Sequence, residues 1–213
     1  MKTDELIAML ARGADGVEPD VLRRRYVTAL GWGAFGAVLL MAITLGVRPD
    51  LAEATRLPMF WVKLVFPAAL LAAALLAVLR LSRPGARLGN ASAAIAAPVL
   101  AMWLLAAIVL LGAAPGERGE LVLGQSAASC PFIIALLSAP LFVAALWAMK
   151  GLAPTSLVLA GAAAGLLSGA GGALVYALYC PEMAAPFIGI WYLLGMLIPT
   201  VMGALLGPRL LHW

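Results

Sequence analysis

The sequence predicts an all-α fold: a polytopic integral membrane bundle of six transmembrane helices, with both ends in the cytoplasm. Three observations carry this. Hydrophobic residues make up 64% of the chain and charged residues only 11%, against about 45–50% and about 25% in a soluble domain. The apolar residues gather into six runs of about 20, the length a helix needs to cross a bilayer core. The lysines and arginines fall unevenly on the two sides that those runs define. So few charges cannot cover a water-facing surface, and the runs are too long and too uniformly apolar for barrel strands, so helices satisfy the backbone.

The expected spans are Tyr26–Val47, Met59–Val78, Ser92–Leu111, Cys130–Met149, Leu157–Tyr179 and Pro186–Leu206. They divide the chain into a cytoplasmic segment 1–25, a membrane domain 26–208 and a cytoplasmic tail 209–213. The first run is preceded by Asp4, Glu5, Asp15, Glu18 and Asp20, unlike the basic start of a cleaved signal peptide, so the first span is expected to be retained. The connections are short and polar, with no room for a soluble domain. The longest, Ala113 to Ser129, has room for a short interfacial helix.

Orientation follows the positive-inside rule. With both ends inside, Lys2, Arg12, Arg23, Arg24, Arg25, Arg80, Arg83, Arg87, Lys150 and Arg209 are cytoplasmic, against Arg48, Arg56, Lys63 and Arg118 outside: ten to four. The acids divide five and five. Arg23, Arg24 and Arg25, directly before the first span, form the strongest anchor.

Within the spans, Gly161, Gly165 and Gly169 recur at intervals of four in the fifth run, with Ser168 and Gly172 on an adjoining ridge. Small residues at that spacing let helix backbones approach closely. Packing within the chain and a homodimer seam both fit. Pro67, Pro98, Pro140 and Pro199 each remove a backbone donor inside a span. Lys63, one turn into the second span beside Trp61, is expected to extend its ammonium to the outer interface, with Trp61 as an interfacial anchor. No Asp, Glu, Arg or His lies deep in a span, which argues against a proton-coupled transporter.

Cys130 opens the fourth span and Cys180 closes the fifth, each followed by proline. Both are expected at the outer face. Three readings stay open: a structural disulfide, a pair responsive to oxidants or soft metals, and two unrelated thiols. Glu182 and Met183 are conceivable further ligands, but two thiols do not complete a closed metal site. No phosphate-binding loop is present. His212 is the only histidine and lies at the tail, which removes a Ser-His-Asp triad. No catalytic residue, enzyme activity, required cofactor or direct nucleic-acid binding is indicated.

The segment before the membrane carries a short amphipathic helix. Thr3 can cap it, Asp4 and Glu5 suit the positive end of its dipole, and Leu6, Ile7, Met9 and Leu10 form an apolar face. About ten residues of helix are marginal alone in water, so this face needs a surface to pack on. Its polar side lacks the lysines of a membrane-surface helix. A protein partner held helix-in-groove and a bland tether remain equal alternatives.

Taken together, several motifs resemble the NrsF-type family of bacterial membrane anti-sigma factors, negative regulators of sigma factor F. These are Met1-Lys2-Thr3-Asp4-Glu5-Leu6-Ile7, Leu22-Arg23-Arg24-Arg25, Gly46-Val47-Arg48-Pro49-Asp50-Leu51, Phe60-Trp61-Val62-Lys63, Ser82-Arg83-Pro84-Gly85, Cys130, Tyr176-Ala177-Leu178-Tyr179-Cys180-Pro181-Glu182 and Leu210-Leu211-His212-Trp213. The resemblance covers nearly the whole chain. It implies a six-span inner-membrane protein that sequesters an extracytoplasmic-function sigma factor through its N-terminal segment. It further implies that Cys130 and Cys180 respond to oxidants or heavy metals, with a shift along the glycine ridge as one way to carry the signal inward. Unlike typical anti-sigma factors, the chain has no sizeable soluble domain, so the contact surface is expected from residues 1–25 and the loops near Arg80–Arg87 and Lys150. The alternative is a small transporter or permeability protein for a soft metal ion.

Overall fold

The computed structural model describes residues 5, 19–82, 85, 87–150, 152 and 154–212. Six long helices dominate: α1 Pro19–Thr44, α2 Pro58–Leu81, α3 Ala91–Gly112, α4 Cys130–Met149, α5 Leu157–Ala177 and α6 Ala185–Leu210. All six are long and apolar enough to cross a membrane. Trp32, Ile43, Leu104, Leu111, Phe132 and Leu205 stand exposed on the outside of the bundle. A surface this apolar suits lipid rather than water.

The observed ends differ modestly from the apolar runs. α1 begins at Pro19, so Arg23, Arg24 and Arg25 belong to the same helix as the span. It stops before Gly46, whose φ is +74°. There the N–H groups of Leu45 and Gly46 both donate to the Met41 carbonyl, a left-handed glycine closing a helix. α6 continues through Pro208 and Arg209 to Leu210, so the expected tail from residue 209 starts as helix. A short helix, Arg118–Leu123, lies in the longest connection, with no buried residue. A single helical turn, Leu51–Ala54, lies between α1 and α2.

α5 is the axis of the bundle: 78% of its membrane window is buried, against 6% for α3. α5 packs on α6, α4 and α2, while α1 lies against α4 and α3 against α2. The reason is the size of its side chains. A Cβ added at Gly161 would collide with the Gly203 carbonyl, and one at Gly165 with the Pro199 carbonyl. Gly169 meets Met196 in the same way, and Gly203 and Gly207 meet Gly161 and Leu157 in return. The glycine ridge therefore joins α5 to α6 backbone to backbone within the chain. A homodimer seam through this ridge is excluded, because α6 already covers it.

Consecutive helices alternate in direction, so the connections fall at two ends. One end gathers Arg25, Tyr26, Ser82 and Lys150. The other gathers Arg48, Lys63, Gln125, Cys180 and Glu182, with Cys130 at the start of α4.

Candidate functional site

Both cysteines sit at helix ends for the same local reason. Cys130 starts α4, and Pro131 behind it occupies the first turn, where a missing N–H costs nothing. Its own N–H is satisfied by the Ser126 carbonyl at 2.9 Å. Cys180 closes the turn after α5, its N–H donating to the Tyr176 carbonyl at 3.0 Å, and Pro181 prevents continuation. Because α4 and α5 are antiparallel neighbours, the two Cys-Pro pairs meet at one end. Both thiols are free and fully buried. The static cross-link among the three sequence readings is thus not the state observed.

The thiols share a small polar cluster. Tyr176, one helical turn before Cys180, is buried with both thiols at this end of α5. Tyr192, on the widened π turn Ile188–Tyr192 of α6, stacks its ring 5.7 Å from that of Tyr176. Its hydroxyl is buried and, among the described residues, finds no partner in hydrogen-bonding geometry.

Lys63 corrects a sequence expectation. It was expected to extend to the outer interface, but it is 0% exposed. Its Nζ donates to the Cys180 carbonyl at 2.6 Å and the Glu182 carbonyl at 2.8 Å, and lies 5.7 Å from the centre of the Tyr192 ring. The physical reason is that the 180–182 connection presents two carbonyls that no helix satisfies, directly over the first turns of α2. A buried ammonium without such acceptors would be costly. Among the described residues it forms no ion pair with a carboxylate.

Arg48, in the connection after α1, reaches the same carbonyl: its Nη1 donates to Cys180 O at 3.3 Å and its N–H to Leu178 O at 3.4 Å. The Asp50 carboxylate takes two further bonds from this guanidinium, at 2.7 and 2.5 Å. That pairing raises the Arg48 pKa and holds Asp50 below the ordinary aspartate range. Glu182 is committed elsewhere, accepting from the Gln125 N–H at 2.7 Å. That contact requires Gly124, whose φ is +51° and whose missing Cβ leaves room for the carboxylate. Trp191 Nε1 donates to Val122 O at 2.8 Å, pinning the same connection.

The site thus brings two free, buried thiols and the rings of Tyr176 and Tyr192 to the same end of the bundle as a buried ammonium. Among the described residues no three His, Cys, Asp or Glu side chains gather as a metal cluster.

At the opposite end, Arg25 Nη2 donates to the Trp147 and Lys150 carbonyls, both at 2.8 Å, and its guanidinium lies 4.9 Å from the centre of the Trp147 ring. It thereby caps the C-terminus of α4. Tyr26 meets Ser82 at 2.6 Å. Ser82 gives its one proton to the Val78 carbonyl, so Tyr26 is the donor of that pair. Arg24 is exposed, while the Arg23 side chain lies outside the described residues. Trp61 is exposed, its indole N–H on the Thr55 carbonyl. Leu6, Ile7, Met9 and Leu10 lie outside the described residues.

Sequence reasoning paired the cysteines but missed Tyr176, Tyr192, Arg48 and Gln125 as site residues. Tyr176 was findable: it precedes Cys180 by four residues, one helical turn. The others meet the site only through folding.

A family described as "NrsF: Negative regulator of sigma F" matches residues 10–213. A probable anti-sigma-F factor NrsF from Azospira oryzae is 57% identical over 213 residues, covering 100% of both chains. An anti-sigma-F factor NrsF from Caulobacter vibrioides is 42% identical over 216 residues, again covering 100% of both. No solved structure matches the chain.

Proposed function

We propose, from the premise that this chain belongs to the NrsF family of negative regulators of sigma F, that it is a bacterial inner-membrane anti-sigma factor. It is a regulator and not an enzyme. It holds an extracytoplasmic-function sigma factor at the cytoplasmic face and releases it when Cys130 and Cys180 react with an oxidant or a soft metal ion. The observation that carries the reading is the full-length similarity to anti-sigma-F factors.

Two further features support the finer parts. The lysine and arginine distribution favours both ends inside, which places the cysteine cluster outside and the Arg25–Tyr26 end in the cytoplasm. The segment 1–25 is then the sizeable cytoplasmic element, with Leu6, Ile7, Met9 and Leu10 as the face offered to sigma. The two thiols supply the chemistry. On oxidation both S–H bonds break and one S–S bond forms. Two electrons and two protons pass to the oxidant, so a peroxide leaves as water or alcohol. A soft cation would use the same two sulfurs.

The energetic demand is definite. Switching sigma from 99% held to 99% free requires about 5.5 kcal/mol of difference between the two cysteine states.

The test is a pull-down of the detergent-solubilised protein, with and without residues 1–25, probed for sigma factors. Retention by the full chain and loss on truncation is the expected result. Absence of any sigma under both reducing and oxidising conditions would overturn the reading.

A further inference from the structure

Each cysteine stands at one end of a connection whose other end meets one of two adjacent residues, Arg25 and Tyr26. Cys130 is the first residue of α4. At the last turn of the same helix the Trp147 carbonyl, and just beyond it the Lys150 carbonyl, are held by Arg25. Cys180 has no helix of its own leading there, but its carbonyl is gripped by Lys63 in the first turns of α2. At the far end of α2, Ser82 accepts from Tyr26 in a buried bond. Arg25 and Tyr26 lie in the α1 turn that connects the N-terminal segment to the bundle.

We propose that Lys63, Arg25 and Tyr26 are the positioning residues that couple the cysteine pair to the N-terminal segment: α4 links Cys130 to Arg25, and α2, through Lys63, links Cys180 to Tyr26. The proposal rests on the reading of the cysteines as the sensor. Joining the sulfurs draws the start of α4 toward the 178–182 connection. The Cys180 carbonyl then leaves the Lys63 ammonium, and α2 loses its tie to that connection. Pro67 makes the response inexpensive, because it denies the Lys63 carbonyl its helical donor, and a helix bends most readily at such a point. At the other end the Tyr26–Ser82 and Arg25–Lys150 bonds are lost together, and the base of α1 is freed.

The glycine ridge is a poorer carrier. α5 and α6 touch there through backbone atoms, with no side chain able to yield, whereas the two tethers consist of discrete hydrogen bonds that can be made or broken.

The experiment uses the full chain in membranes with its sigma factor and a sigma-dependent reporter. Tyr26→Phe and Lys63→Met are each placed in the wild-type and the Cys130→Ser/Cys180→Ser backgrounds. Each is expected to raise reporter output about fivefold or more without oxidant, the ratio that loss of one such hydrogen bond gives. Each does so even where the cysteines are absent, at unchanged membrane abundance. Lys63→Arg is expected to restore repression. A second readout separates coupling from mere structure. Because linkage is reciprocal, sigma binding must alter the alkylation rate of the wild-type thiols, and Tyr26→Phe must shrink that difference.

If Tyr26→Phe and Lys63→Met accumulate normally, repress fully and respond to oxidant as wild type does, the coupling is refuted. Should Lys63→Met fail to accumulate, Tyr26→Phe alone decides, since it removes one hydroxyl far from the thiols. If the Cys130→Ser/Cys180→Ser parent still responds to oxidant, the sensor reading fails first and this coupling falls with it. A cysteine-free parent that no longer responds to oxidant, together with single variants that still repress and respond as wild type does, sinks the coupling alone.

Discussion

Replacing Gly165 by alanine places one methyl group in the middle of the close α5–α6 contact. Its Cβ would lie on the Pro199 carbonyl oxygen, 2.6 Å from the Thr200 Cα and 2.7 Å from the Pro199 carbonyl carbon. All three are backbone atoms of α6, so no rotamer change can make room. The α5–α6 axes must separate by roughly 1 Å to reach ordinary van der Waals distance. That separation weakens every contact along the ridge from Gly161 to Gly169. Overpacking of a tight core costs about 1–3 kcal/mol, and the backbone on both sides puts this case at the upper end, about 3 kcal/mol. Gly31→Ala is the internal control. Gly31 lies in α1 with nothing within 4 Å of the added Cβ, so the helix gains about 0.5–1 kcal/mol from the better helix former. Reversible unfolding in mixed micelles, or melting in detergent, measures both. Gly165→Ala is expected to be clearly less stable than wild type and Gly31→Ala equal to it or better. Two variants that melt together would refute backbone-level packing of α5 on α6.

Three other perturbations report on the two ends. Asp50→Asn removes the carboxylate that holds Arg48 toward Cys180. Since Arg48 lowers the Asp50 pKa in the folded protein, the pair contributes fully above the unfolded aspartate pKa of about 4 and is lost as pH falls through the lower folded value. The melting difference between wild type and Asp50→Asn should therefore be flat above about pH 5 and close only in more acidic buffer. Glu182→Ala frees the Gln125 N–H, so amide exchange and proteolysis within 113–129 should rise while the helices stay protected. Arg25→Gln uncaps α4 at two carbonyls and removes the cation from the Trp147 ring. Its expected cost is about 1–3 kcal/mol, measured by the same unfolding assay.

How much of this was legible in the sequence depends on the range of the interaction. The spans were readable because burial in lipid demands about 20 apolar residues in a row, and a run of composition survives without knowledge of the neighbours. Their ends were less so: α1 extends to Pro19 because the helix has no reason to stop at the edge of the apolar run. The α5 glycines announced a close approach by their spacing alone. Their partner was also encoded, in the four-residue interval between Gly203 and Gly207 on α6. Lys63 was misread because its fate depends on carbonyls 117 and 119 residues away. A lysine near a helix end looks the same whether it turns outward to head groups or inward to an unsatisfied turn. The Cys130–Cys180 neighbourhood followed from antiparallel order, but Tyr192 entered it only through a π turn, whose Gly189 carbonyl is taken by Trp103. No local pattern signals such a turn.

The central claim is that the state of Cys130 and Cys180 decides whether sigma is held. The most direct measurement is the amount of sigma retained on membranes carrying the wild-type chain or the Cys130→Ser/Cys180→Ser variant, before and after a peroxide pulse, with the thiols counted by alkylation in the same samples. Sigma leaving the wild-type membranes in proportion to thiol loss, and staying on the variant, is the predicted result. Equal release from both, or complete thiol loss with sigma still bound, would contradict it.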